Sequence, residues 1–155
     1  IGMNDKQIRD VLDYPHESGW LMRGVHLTTA KIVSDDSRRK IIEIQNGQIN
    51  VRNMKVLIVK KGEALLGNHW HYGYEVMYIF KGAARYKMKN MDTLEEQEYD
   101  LKEGDVVFRT GRITHAGIFT EDSIVIDGGS DTYISQEFND IPEVILSNDI
   151  SQRTN

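Results

Sequence analysis

The segment Gly67-Asn68-His69-Trp70-His71-Tyr72-Gly73-Tyr74-Glu75 puts two imidazoles and a carboxylate close together, and His115 follows further along the chain. Residues two apart in a strand project to the same face, so His69 and His71 can offer ring nitrogens to one point. Gly73 can bend the strand so that Glu75 reaches that point, and His115 must then arrive from a neighbouring strand. The chain has no cysteine, which leaves nitrogen and oxygen donors. Three imidazoles and one carboxylate suit a first-row divalent ion, and an octahedral preference leaves two positions for water, substrate or dioxygen. Iron, manganese, nickel, cobalt and zinc all accept such a set. A lone His-x-His is more often a polar strand face. Here Glu75 lies inside Tyr74 to Phe80, among the most apolar strand-like segments of the chain, where an unpaired buried carboxylate is costly and a bound ion removes the cost.

Other side chains are weighed against that cluster. Met77 and Ile79 share a face with Glu75, and Tyr86 and Met88 can line the same interior from the next strand. Tyr86 and Glu75 are the candidate proton carriers, whereas alternation turns Tyr78 away from Glu75. Arg85, Lys87, Arg109 and Arg112 could attract an anionic substrate, but the plainer reading is solvated strand-face or loop charge. His16 and His26 are isolated and read as structural, and Trp70 alternates away from the ligands onto an outer layer.

The elements that must position these residues are short β-branched runs separated by turn residues from Arg23 onward, the pattern of a sandwich or barrel. Strands are expected at Met54 to Lys60, Tyr74 to Phe80, Ala84 to Met88, Gln97 to Leu101, Asp105 to Arg109 and Ile118 to Asp127. Asn46-Gly47 predicts a two-residue hairpin turn that sets Ile44 opposite Ile49 and Ile42 opposite Val51. Lys102-Glu103-Gly104-Asp105 reads as a turn with Gly104 left-handed, and Asn90 to Glu96 as an exposed hairpin tip. Asp5 to Tyr14 predicts a short N-terminal helix ended by Pro15.

Ile1 and Gly2 precede Met3 and are left out of the fold reasoning, so one domain is expected over 3–155, with a barrel core over about 23–130 and a C-terminal tail over 131–155. A net charge of -5 and a pI near 5.5 argue against general nucleic-acid binding, which needs a basic surface. The apolar runs are too short to span a bilayer, so the expectation is no membrane partner and a cytoplasmic protein.

These residues resemble the cupin superfamily. Its first motif runs Gly, five residues, His-x-His, three or four residues, Glu, six residues, Gly; its second runs Gly, five residues, Pro-x-Gly, two residues, His, three residues, Asn. His69, His71, Glu75 and Gly82 meet the inner spacing of the first, with Glu63 at the leading glycine and Gly62 beside it. Gly104 and His115 are correctly separated for the second, with Thr110, Arg112 and Phe119 at the Pro, Gly and Asn positions. The resemblance covers roughly Arg39 to Gly129 and implies an all-β, double-stranded β-helix (jelly-roll) barrel. Asp36 to Ile44, leading into Gly67 to His71, also looks like the opening of nucleotide-sugar 3,4-ketoisomerases and 3,5-epimerases of the same superfamily, which generally work without metal.

The function expected first is an isomerase or epimerase in which a divalent ion acts as Lewis acid on a small polar substrate, a sugar or a keto or hydroxy acid. The alternatives are a non-haem iron dioxygenase and a non-catalytic metal- or ligand-binding module. A homodimer is expected, with Arg23 to Val33 as candidate interface.

Overall fold

A computed structural model describes residues 20–62 and 66–131, so the expected helix at Asp5 to Tyr14 and the tail beyond Asp131 lie outside the described residues. The described chain is all β: β1 Trp20–Met22, β2 Val25–Thr29, β3 Lys31–Asp35, β4 Lys40–Glu43, β5 Asn53–Val59, β6 Leu66–His69, β7 Glu75–Lys81, β8 Ala83–Asn90, β9 Glu96–Lys102, β10 Asp105–Arg109, β11 Ile113–Phe119 and β12 Ser123–Gly129. One sheet runs β1-β2-β10-β7-β12-β5, a second β6-β11-β8-β9, and β3 pairs with β4. All pairings are antiparallel. No helix among the described residues is long and apolar enough to cross a membrane.

Period-2 patterning explains the two large sheets. In β8, Ala84, Tyr86, Met88 and Asn90 are buried, while Arg85, Lys87 and Lys89 face β9 acids: Arg85 meets Asp100 at 2.9 Å, and Lys87 and Lys89 meet Glu96 at 3.7 Å. The inward set joins Met77, Ile79, Leu101, Val107 and Val125 in the core between the sheets. Strand β7 is buried on both faces. Its alternate residues Val76 and Tyr78, with Val106 and Phe108 of β10, form a second core under Ile42, Ile44, Ile49 and Val51. That cover stops short of the edge strand β5, whose outward Met54, Val56 and Ile58 are 64%, 63% and 79% exposed.

The hairpin expected at Asn46-Gly47 does not form. Only Gly47 of the pair has positive φ, whereas the expected turn requires both. The Gln45 amide occupies the backbone of Ile49 instead, its Oε1 accepting from Ile49 N at 2.9 Å and its Nε2 donating to Ile49 O at 3.2 Å. Strand β4 therefore pairs back to β3, and Ile44 and Ile49 still reach the second core from a loop. The run expected as one strand over Ile118 to Asp127 is broken between Phe119 and Ser123, where Ser123 Oγ donates to Glu121 O at 2.8 Å. The turn at Gly104 (φ 93) forms as expected, with Lys102 N donating to Asp105 Oδ2 at 2.9 Å.

Candidate active site

His69 ends β6, His71 lies in the connection to β7, Glu75 opens β7, and His115 is central in β11. His69 and His115 are direct cross-strand partners, so the ladder alone places their rings together. His71 is not strand-paired as expected. The chain turns through consecutive left-handed residues Gly67 (φ 83) and Asn68 (φ 70), and the β6–β11 register slips between His115 and Ala116. Beyond that bulge Trp70 is buried, stacked edge-on with Tyr72 at 4.8 Å and covered by the Arg112 guanidinium at 4.6 Å. Arg112 N donates to His71 O at 2.7 Å, which fixes the loop against the strand carrying His115. Gly111 is required there, because a Cβ would collide with the Tyr72 carbonyl.

The three rings converge. Their centroids are 4.6 Å apart for His69 and His71, 4.9 Å for His69 and His115, and 5.3 Å for His71 and His115. One ring nitrogen from each lies within 4.8 Å of the others, a donor set a divalent ion could draw together. His115 Nδ1 lies 3.1 Å from Ile113 O and so carries the proton, which puts its lone pair on Nε2. His71 Nε2 lies 3.1 Å from Glu75 Oε1; donation to that carboxylate puts the His71 lone pair on Nδ1.

Glu75 is engaged on both oxygens. Its Oε2 accepts from Arg109 Nη2 at 2.6 Å, and Arg109 and Glu75 are direct partners across β10 and β7. The carboxylate therefore orients His71 instead of standing in the group of three converging nitrogens. Arg109 is a correction to the sequence reading. Far from a solvated charge, its side chain is 3% exposed and lies 3.9 Å from Asp127 Oδ1; Lys55 Nζ closes the row at 3.6 Å from Asp127 Oδ2. Arg109 Nη1 is buried and has no hydrogen-bond partner among the described residues, an omission that costs about 1–3 kcal/mol for a typical group. The signal for Arg109 and Asp127 was present in the sequence: each stands two residues beyond an inward Val, Val107 and Val125, on a strand with few polar neighbours.

Burial sets the protonation states. It lowers His69, takes His71 down to about 4 and holds His115 well below the ordinary imidazole range, against the pull of Glu75. All three are neutral at pH 7. Burial pushes the Glu75 carboxyl up, but Arg109, His115 and His71 together more than reverse this and keep it ionised, whereas burial and the Glu75 charge raise Asp127. Tyr86, the other expected proton carrier, sits inside with its ring across Gly117 and edge-on to Phe119 at 6.0 Å. Burial takes its phenol to about 12, so it can donate a hydrogen bond but does not serve as a base near neutrality.

Acid should therefore weaken the fold. His71 takes its proton near 6.5 when unfolded but only near 4 in the fold, so between those values the unfolded chain binds more protons. That contribution, about 3 kcal/mol for a shift of this size, is complete above pH 6.5 and is lost as pH falls toward 4. His69 and His115 act in the same direction; the raised Asp127 opposes them. Urea midpoints are expected to fall steadily from pH 7.5 to 4.5, and a flat profile would contradict the neutral cluster.

Beside the His71 loop lies a groove of about 440 Å³ lined by Arg23, Tyr72, Asn90, Asp92, Thr110 and Arg112. Arg112 Nε is also 2.8 Å from Asp92 Oδ1.

No protein-family model and no curated protein matches the chain. Solved structures do. A dTDP-4-dehydrorhamnose 3,5-epimerase from Sulfolobus tokodaii superposes with a TM-score of 0.67 at 20% identity, covering 81% of this chain and 80% of that one. The 3'-monoepimerase ChmJ from Streptomyces bikiniensis, in complex with dTDP-quinovose, gives 0.65 at 17% identity over 77% and 70% of the two chains. A variant of the 3,4-ketoisomerase QdtA from Thermoanaerobacterium thermosaccharolyticum, in complex with TDP-4-keto-6-deoxyglucose, gives 0.62 at 14% identity over 82% and 100%. The chain has the cupin fold. Within this fold the site faces the interior between the two sheets, where Glu75 and Arg109 from one sheet meet His69 and His115 from the other.

Proposed function

We propose that this cupin is an isomerase or epimerase of a keto sugar, with imidazoles of the cluster moving the proton beside the ketone. The observation that carries the reading is three neutral imidazoles gathered in a buried frame, two of them oriented by defined hydrogen bonds. The likeness to sugar epimerases and a ketoisomerase supports the reaction class. His71 is the first choice for base: Glu75 takes its Nε2–H, so Nδ1 can accept the substrate proton, and the imidazolium formed is stabilised by the same carboxylate. The groove with Arg23 and Arg112 suits a nucleotide diphosphate handle. Incubation with TDP-4-keto-6-deoxyglucose, the sugar bound to one structural neighbour, should give an isomer or epimer by proton NMR. Recovery of every TDP-keto sugar tested, unchanged, would remove the reading.

An imidazole with a pKa near 4 is a weak base, so the carbonyl must be polarised as the proton leaves. A second reading supplies this with a metal, and the hydrogen bond from His115 Nδ1 to Ile113 O favours it, because a metal-bound imidazole usually anchors its other nitrogen in this way. His69, His71 and His115 would hold the ion; Glu75 would join them as a ligand only by giving up Arg109 or His71. A bound divalent ion would act as a Lewis acid on the carbonyl oxygen. Elemental analysis of protein purified without added metal or chelator, beside His69→Ala/His71→Ala, tests this reading. Stoichiometric manganese, nickel, cobalt or zinc lost in the variant supports it, iron would open the dioxygenase alternative, and equal traces in both proteins would exclude it.

The homodimer is expected from the sequence through Arg23 to Val33, but the apolar stripe of Met54, Val56 and Ile58 on β5 is the better face for a second copy to cover. Light scattering should give the mass of two chains, falling to one in Val56→Lys; a monomeric wild type would end this part of the proposal.

A further inference from the structure

Arg109 is the most deeply buried cation of the site, and one arm of it is unaccounted for. Nη2 is committed to Glu75 Oε2 at 2.6 Å and lies 3.9 Å from Asp127 Oδ1. Nη1 is as inaccessible to solvent, yet no described residue accepts from it. Buried donors in folded proteins are nearly always paired, and one on a charged group is the costliest to leave bare. An orphan of this kind beside a reactive cluster calls for an acceptor that the described residues do not supply.

The surroundings say which kind of oxygen. Strand register places Arg109 opposite Glu75 on one side and Val25 on the other, facing the interior. Glu75 bridges the guanidinium to His71, so the bare donor is one carboxylate away from the proposed base. Lys55, the other cation in the row, is held by Asn53 Oδ1 at 2.8 Å and Asp127. Two carboxylates against Arg109 and Lys55 leave the row close to neutral, which suits a ketone that turns anionic better than a ligand already carrying full negative charge.

Resting on the proton chemistry proposed above, we propose that Arg109 Nη1–H receives the carbonyl oxygen of the substrate and holds the enolate formed from it. As imidazole takes the adjacent proton, the C–H pair becomes the new C=C bond and the carbonyl π pair moves onto oxygen. A proton delivered to the same carbon from the opposite face by a second acid, with the Tyr86 phenol as the buried donor at hand, gives the epimer, and the imidazolium then gives up its proton to restore both groups. For a ketoisomerase, a proton moves from the neighbouring hydroxyl to the former carbonyl oxygen through the enediol before carbon is reprotonated. No oxidant or co-reactant is consumed. A donor fixed in advance by two carboxylates gains most when the oxygen becomes anionic, so it acts on the transition state more than on binding.

Arg109→Lys keeps a cation beside Glu75 and removes the second arm. Its kcat on a turned-over TDP-keto sugar should fall roughly 100-fold or more with KM little changed; an altered KM with kcat intact would overturn the assignment. A second measurement needs neither substrate nor variant. Dihydroxyacetone, a neutral ketone, titrated into nitrogen-15-labelled wild-type protein should saturably shift the slowly exchanging guanidinium signal of the buried arginine. No shift overturns the assignment even if keto sugars are turned over, and a shift without turnover keeps the oxyanion site while removing the sugar reading.

Discussion

Replacing Arg109 by methionine is expected to destabilise the fold by about 3–5 kcal/mol, because it leaves the Glu75 carboxylate buried opposite an apolar chain. The strain does not stop at Glu75. Asp127 loses the cation on its Oδ1 side and keeps only Lys55, and its carboxyl should rise further. Placing leucine at Glu75 in the same protein should recover most of the loss, since a buried pair exchanged for well-packed apolar groups is often neutral or better. Urea unfolding of wild type, single and double variants gives all three free energies. A single variant within about 1 kcal/mol of wild type would mean that the ion pair is solvated or relaxes without cost.

The second large effect is catalytic. His71→Ala should cut turnover of a TDP-keto sugar by about 10²–10⁴ if its imidazole carries the proton, while the circular dichroism spectrum stays that of the wild type. His71 is in a loop fixed by backbone contacts from Arg112, so the fold does not depend on its ring. His115→Ala is a less clean comparison, because His115 is central in β11 and packs against both other histidines. Retention of full turnover by His71→Ala would move the base to His69 or His115.

The gathering of the histidines was legible in the sequence, though not the means. Same-face projection along one strand brought His69 to His71 on paper; in the structure β6 stops at His69, and paired left-handed residues with a register slip bring the loop back. Gly67 and Asn68 are both residues that adopt left-handed φ readily, so the pair carried the signal for such a turn. The alternation of β8 was readable because Arg85, Lys87 and Lys89 put a charge at every second position. The Asn46-Gly47 turn misled for a local reason: Gln45, beside the turn, has an amide that can imitate a strand partner for Ile49. Glu75 was correctly seen as a buried carboxylate that needs compensation. The compensation is Arg109, whose alternation with inward Val107 gave its facing, while its full burial depends on β10 being enclosed between β2 and β7.

The most direct measurement of the central claim is solvent deuterium exchange into TDP-4-keto-6-deoxyglucose, followed by proton NMR in D₂O with wild-type protein and with His69→Ala/His71→Ala. It reads removal of the proton beside the ketone even where the sugar is not carried through to a new product. The account predicts loss of signal at a carbon adjacent to the ketone with wild type, and an intact signal with the double variant. Exchange at the same rate in both proteins, or a fully protonated sugar after long incubation with folded wild type, would contradict it.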